Sequence, residues 1–275
     1  AESNYIGSLR PPAPAPAPAS AHAAAADGLG HAGHESEVVH DDKKKAELLR
    51  NYWAKVWQKD QLDPHLQADF MNKCTVPTVT ADQLASLNRP ITSEEVMEAI
   101  ESVKHKKHTS PGLDGLPYRF YVEFKEELAP MLTRVYSSAV AQGQLTETQK
   151  GAAVRLLFKL KHLKGSEKVL AAQKLANYRP ISLCNADRNL MATILNKRLQ
   201  SILPSLINPQ QAGFVKGRDI GGNALLLDLI TQQHREAKEN LFFSSLDISK
   251  AFDSVDHEFL FGCLEKYGMK GWFVD

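Results

Sequence analysis

The sequence predicts an α/β (α+β) chain behind an N-terminal segment that has no fold of its own. Three observations carry this. Apolar residues recur at three-and-four spacing in several stretches from Asp41 onward, the period of helices with one buried stripe. Two short apolar runs, Ala153–Leu160 and Phe242–Ile248, have the length and alternation of strands. Residues 1–40 are Pro/Ala-rich, then Ala-rich and Gly-rich, and such a segment buries too little apolar surface to offset its ordering entropy.

Taken in order, residues 1–40 read as a disordered Pro/Ala-rich linker. His22, His31, His34 and His40 are scattered through it without a scaffold to fix metal geometry, so a tether is the favoured role. Residues 41–90 read as a helical N-terminal extension. Asp41 and Asp42 open its helix by compensating the dipole, and Leu48, Leu49, Tyr52, Trp53, Val56 and Trp57 form one stripe. Such a stripe stacks on bases or packs against a neighbour, and packing is the favoured reading. Cys74–Pro90 is rich in Pro and Thr and reads as a loop. Thr92 with Glu95 then makes a capping box for a helix whose inner face is Val96, Ala99, Ile100 and Val103. The cations from Lys104 to His108 suit its C-terminus or a nucleic-acid backbone equally well. Residues 116–143 read as one helix with Phe120, Phe124, Leu128, Leu132, Val135 and Val140 as core. Asn189–Leu203 reads as another, with Lys197 and Arg198 turned toward solvent or nucleic acid. Gly213, Gly217, Gly221 and Gly222 mark a loop, followed by a helix from Asn223 to Lys238. Asp256 caps a last helix built on Phe259, Leu260, Cys263, Leu264 and Tyr267 and closed by Gly268.

Whole-chain charge is close to balanced, but its distribution is not. Residues 151–200 carry ten basic side chains against Glu167 and Asp187, the footprint expected for a polyanion such as nucleic acid or triphosphate. Cys74, Cys184 and Cys263 are too scattered for a zinc pattern and too few for a disulfide scaffold, which fits a reducing compartment. No apolar run approaches the ~20 residues needed to span a bilayer. The start has no basic region followed by an apolar core, so no secretory signal is read. Together these predict an intracellular chain, in nucleus or cytoplasm, with no membrane partner. Ala1 stands where an initiator Met would, as in a fragment or a processed product.

The most informative stretch is Phe242-Phe-Ser-Ser-Leu-Asp247-Ile-Ser-Lys-Ala-Phe252-Asp253. A lone Asp leaving an apolar strand is costly unless something compensates its charge, and a divalent metal or strand-end amides do so. Residues Leu246 to Asp256 closely resemble the first palm motif of reverse transcriptases, in the form found in LINE-type (non-LTR) retrotransposons. Three further stretches resemble the same family in the expected order: Ser110-Pro-Gly-Leu-Asp-Gly115 with Arg119-Phe-Tyr121, Asn177-Tyr-Arg-Pro-Ile-Ser-Leu183, and Gln211-Ala-Gly-Phe-Val-Lys-Gly-Arg218. The resemblance covers residues 91–275 and implies the fingers and a partial palm, an antiparallel sheet with helices on one side under a basic finger subdomain.

The resemblance implies RNA-directed DNA synthesis with an RNA template, a DNA primer and deoxynucleotide triphosphates. Two Mg²⁺ ions would assist, with Asp247 and the Ile248 carbonyl as ligands. Phe252 would lie beneath the incoming sugar and exclude a 2′-hydroxyl, while Asp253 would organise the helix start. Arg179 would contact the triphosphate, its planar fork suiting phosphate. Lys159 would be its partner, with Lys161 as the alternative because Phe158 replaces the usual Pro and the connection to Arg179 is long. The family's later Asp-Asp pair, thumb and endonuclease segments are expected to be missing from this sequence, which stops at Asp275 before they could appear. The expectation is therefore an incomplete two-metal site and a polypeptide inactive on its own. The alternative reading is a non-catalytic RNA- or DNA-binding remnant of a decayed element.

Overall fold

The computed structural model describes residues 41–58, 63–106, 109–248 and 250–274, and the expected linker over residues 1–40 lies outside them. In chain order the elements are α1 (Asp42–Val56), α2 (Pro64–Lys73), α3 (Ala81–Asn88), α4 (Ser93–Ser102), α5 (Tyr118–Glu123), α6 (Lys125–Gln142), α7 (Glu147–Lys150), β1 (Ala152–Phe158), α8 (Gly165–Ala172), β2 (Tyr178–Cys184), α9 (Ala186–Leu206), α10 (Ile220–Ala237) and α11 (His257–Lys266). The mixed helix-and-strand composition agrees with the predicted class. The chain forms two compact units. Among the described residues, one joins residues 41–58 with Val154–Ile181, and the other joins residues 63–153 with residues 182–274.

The larger unit is built on α4, α5, α6 and α9. Val96, Ala99 and Ile100 of α4 pack with Tyr121, Ala129, Leu132, Tyr136 and Ala139, and with Leu190, Met191 and Ile194 of α9. A second cluster joins Leu87, Ile202, Leu206 and Met269. Helix starts follow from local chemistry. Thr80 with Gln83, Thr92 with Glu95 and Thr146 with Gln149 form capping boxes in which side chain and backbone satisfy one another. The Thr92 box and the Asp256 cap are those expected from the sequence, and Gly268 closes α11 in the left-handed conformation at φ +84°.

Several expectations are corrected. The Cys74–Pro90 stretch contains α3, whose Thr-x-x-Gln start outweighs the loop-like composition around it. The single helix expected over residues 116–143 is broken at Phe124, where Glu126 and Glu127 favour a new N-terminus. The break turns the stripe, so Phe124 and Val135 are exposed while Tyr121, Ala129 and Tyr136 are buried. Gly221 and Gly222 belong to the first turn of α10, because Asp219 caps it by accepting from the Gly221 amide at 2.7 Å. Lys107 and His108 of the basic cluster lie outside the described residues, and Lys104 bonds Glu101 at 2.6 Å.

The largest correction concerns Arg198, which is only 4% exposed. Its guanidinium donates to the Glu95 carboxylate at 2.9 and 2.6 Å and to the carbonyls of Leu87, Arg89 and Pro90 at 2.9, 2.6 and 3.0 Å. It also lies 5.5 Å from the Trp272 ring centroid. A fork of five N–H donors satisfies carbonyls that have no partner where α3 gives way to α4. Burial by itself would raise the Glu95 carboxyl. The Arg198 hydrogen bonds, the Thr92 amide and the charges of Arg198 and Arg89 outweigh burial and hold it below its ordinary value.

Among the described glycines of this unit, Gly112 lies closest to other backbone. A Cβ there would fall 2.5 Å from the Asn185 amide nitrogen and 2.6 Å from its Cα. Asn185 is buried, accepting from the Asp114 amide at 3.3 Å and donating to the Thr148 carbonyl at 2.9 Å.

Glu95→Gln leaves a buried guanidinium without its counter-charge and should cost roughly 3–5 kcal/mol in urea unfolding. Because the folded carboxyl titrates below its ordinary value of 4.5, this stabilisation is complete above that pH and is lost as pH falls through the lower folded value. The stability difference between wild type and Glu95→Gln should therefore narrow on acidification. Gly112→Ala, forced against backbone, should cost about 1–3 kcal/mol in the same measurement.

Candidate nucleotide and nucleic-acid site

In the smaller unit the end of β1 meets the start of β2. The Lys159 amide donates to the Asn177 carbonyl at 2.8 Å, and the Phe158 and Tyr178 rings sit 5.5 Å apart. The strands of this two-stranded sheet are therefore antiparallel, with Leu157 opposite Arg179 and Arg155 opposite Ile181. Pro180 then occupies a position whose N–H would point away from β1, so its missing donor costs the ladder nothing.

Side chains alternate across a strand, which puts Arg155, Leu157, Lys159, Arg179 and Ile181 on one face. That face is exposed, whereas Leu156, Phe158, Tyr178 and Pro180 on the other are covered. Lys159 and Arg179 are thus brought onto one open surface. The Lys159 ammonium also bonds the Ala176 carbonyl at 2.7 Å. Lys161 is exposed in the turn that follows β1. The long connection to Arg179 is occupied by α8, tied to β2 by Asn177 and Tyr178 donating to the Ala171 and Ala172 carbonyls at 2.8 and 3.0 Å. Arg155 was not among the sequence candidates. Its signal was the two-residue spacing that aligns it with Lys159.

Asp247, Ile248 and Phe252 belong to the larger unit, and here the strand expectation fails. Phe242–Ile248 is not strand, and Phe242 and Leu246 are 91% and 90% exposed. An extended segment becomes a strand only by exchanging backbone hydrogen bonds with another. Among the described residues the one sheet is β1–β2, and this stretch joins neither strand. Asp247 is exposed rather than held at a buried strand end. Phe252 meets Phe214 edge-on, with centroids 5.9 Å apart and planes at 86°.

Phe214 lies in the Gln211–Arg218 block, which is tightly braced. Arg218 donates to the carbonyls of Pro204, Ile207, Asn208 and Gln211 at 3.2, 2.9, 2.6 and 3.0 Å. Gln200 of α9 donates to the Phe214 carbonyl at 2.7 Å and accepts from the Lys216 amide at 2.8 Å. Gln200 and Arg218 were not sequence candidates, since bracing of this kind depends on where a helix side chain lands.

Mg²⁺ requires hard oxygen donors, and the Asp247 carboxylate with the Ile248 carbonyl supplies donors of the right kind. Among the described residues no group of three or more His, Cys, Asp or Glu side chains is close enough to hold a metal ion. The donors fit in type and fall short in number for two ions. No helix among the described residues is long and apolar enough to cross a membrane.

The exposed cationic strand pair and the Asp247–Phe252 segment are the parts of the chain on which the family resemblance rests, and comparison with known proteins supplies the class. Residues 164–274 match the family described as reverse transcriptase (RNA-dependent DNA polymerase). Over this stretch the chain belongs to the reverse transcriptases, of the LINE type carried by non-LTR retrotransposons. It is 32% identical over 236 residues to the transposon TX1 uncharacterized 149 kDa protein of Xenopus laevis, covering 86% of this chain and 17% of that protein. It is 33% identical over 169 residues to the retrovirus-related Pol polyprotein from the type-2 retrotransposable element R2DM of Drosophila melanogaster, covering 61% of this chain and 14% of that protein. A probable RNA-directed DNA polymerase from transposon BS of the same fly is 26% identical over 180 residues, 65% of this chain and 19% of that protein. The chain thus spans less than a fifth of the length of these relatives.

Proposed function

We propose that this chain supplies the fingers and the first palm carboxylate of an RNA-directed DNA polymerase. The observation that carries the reading is that the family match over residues 164–274 contains both Arg179 and Asp247, each open to solvent. In this reading Arg179 forks onto triphosphate oxygens, and Lys159 on the same strand face adds a point charge, with Lys161 close behind. The Asp247 carboxylate and Ile248 carbonyl would hold Mg²⁺ through oxygen, and the bound ion would supply positive charge for the primer hydroxyl and the leaving pyrophosphate. The Phe252 ring lies flat against the incoming sugar and leaves no room for a 2′-hydroxyl. Template RNA, DNA primer and deoxynucleotides are the implied partners, and the work is intracellular.

One carboxylate cannot hold two divalent ions in register, so this polypeptide by itself binds nucleic acid without polymerising. A second reading, a non-catalytic nucleic-acid-binding remnant, is favoured by the exposed cationic face alone. Such a face attracts a polyanion whatever chemistry follows.

Primer extension on an RNA template, with titrations of the same primer–template at several salt concentrations, tests the proposal. The expected result is steeply salt-dependent binding and no incorporation. Charge reversal at Arg155 and Arg179 should reduce the slope of log affinity against log salt by about two. Incorporation that disappears in Asp247→Asn would overturn the incompleteness, and absence of binding at low salt would overturn the assignment itself.

A further inference from the structure

Phe214 combines three properties that rarely occur together. It is 83% exposed, a large apolar side chain left in water. Its backbone is left-handed at φ +62°, a conformation glycine adopts freely and an L-residue with a Cβ resists. Yet it is held there by both Gln200 hydrogen bonds and by Arg218 gathering the surrounding carbonyls. Strain that is maintained by bracing and serves no burial points to a use for the side chain outside the fold.

Its surroundings indicate which use. Phe214 borders a groove of about 810 Å³ lined also by Glu98, Asn196, Lys197, Gln200 and Lys216. Glu98 lies 3.7 Å from the Lys197 ammonium, a distance that leaves Lys197 able to turn to another anion. The far side of the ring meets Phe252, which is itself 83% exposed, so the two rings form an open aromatic corner. An apolar partner protein would meet two lysines and polar amides beside the ring. A nucleic-acid strand meets a π-face for a base and cations for its phosphates. A duplex hides its base faces, so the strand must be single.

We propose that Phe214 is a stacking platform for one base of a single-stranded nucleic acid, with flanking phosphates on Lys216 and Lys197. This deepens the polymerase reading by naming a strand contact, and it does not depend on Asp247 or on the exposed face of β1 and β2.

The test is anisotropy of a labelled single-stranded RNA of about a dozen nucleotides, with 2-aminopurine fluorescence reporting stacking. Phe214→Ala should weaken binding about five- to hundred-fold and abolish the 2-aminopurine quench, and Phe214→Tyr should retain both. Lys216→Glu should lower the salt slope by about one or more. Phe214→Gly separates binding from structure, because it relieves the left-handed strain: its thermal midpoint should rise or hold while binding falls. Unchanged affinity in Phe214→Ala and Phe214→Gly would overturn the inference, as would equal competition by duplex RNA. Either result leaves the polymerase assignment standing, because that rests on Arg179 and Asp247.

Discussion

The larger unit depends on the guanidinium of Arg198. Where α3 ends and α4 begins, the chain turns sharply and leaves the Leu87, Arg89 and Pro90 carbonyls directed inward with no helical partner. Arg198 satisfies all of them at once and closes the charge with Glu95, whose other task is to complete the Thr92 capping box. One carboxylate therefore starts α4 and anchors α9. The C-terminal stretch joins the same point, since the Trp272 indole donates to the Asn88 carbonyl at 2.7 Å beneath the same cation. A buried ion pair is weak grounds for stability on its own account. Here it matters because it removes unsatisfied backbone groups that no hydrophobic replacement could cover.

With α9 fixed, both of its ends become positioning devices. At its N-terminus Asn185 meets Gly112, and Asp187 accepts from Gln149 at 2.8 Å and, through its carbonyl, from the Tyr136 hydroxyl at 2.7 Å. Burial, with the nearby Asp187 charge second, pushes the Tyr136 phenol upward and keeps it a neutral donor. In the C-terminal half Gln200 braces the loop that presents Phe214. The family motifs around Gly112, Asn185 and Phe214 are distant in sequence and are joined in space by this one helix.

Much of this was legible in the sequence, for reasons that differ residue by residue. The Thr92 box, the Asp256 cap and the Gly268 stop are local chemistry, readable from a few neighbours. Lys159 and Arg179 were paired through the resemblance alone, because the strand Tyr178–Cys184 that gives them a common face was not read from the sequence. Arg198 was misread because a basic residue beside a buried stripe resembles a solvated one. Its fate was decided by three carbonyls more than a hundred residues earlier. The strand at Phe242–Ile248 was misread for the opposite reason: its pattern is right, but pattern alone supplies no partner for its backbone.

In the proposed reading, the Phe242–Ile248 segment sets where the energy for assembling a catalytic centre would come from. Ordering the backbone of Phe242–Ile248 costs on the order of 10 kcal/mol, at 1–2 kcal/mol per residue. A carboxylate as exposed as Asp247 gains little from binding a hydrated Mg²⁺, an ion that parts with its water reluctantly. Burying Phe242, Leu246 and Ile248 would return roughly 1.5–3 kcal/mol each, and ladder hydrogen bonds about 1 kcal/mol more apiece. Those terms together match the entropy, and metal ligation by itself does not. In the proposed polymerase the carboxylate would therefore be aligned by this segment pairing with an apolar, hydrogen-bonding neighbour, and an ion would bind only the geometry which that packing made.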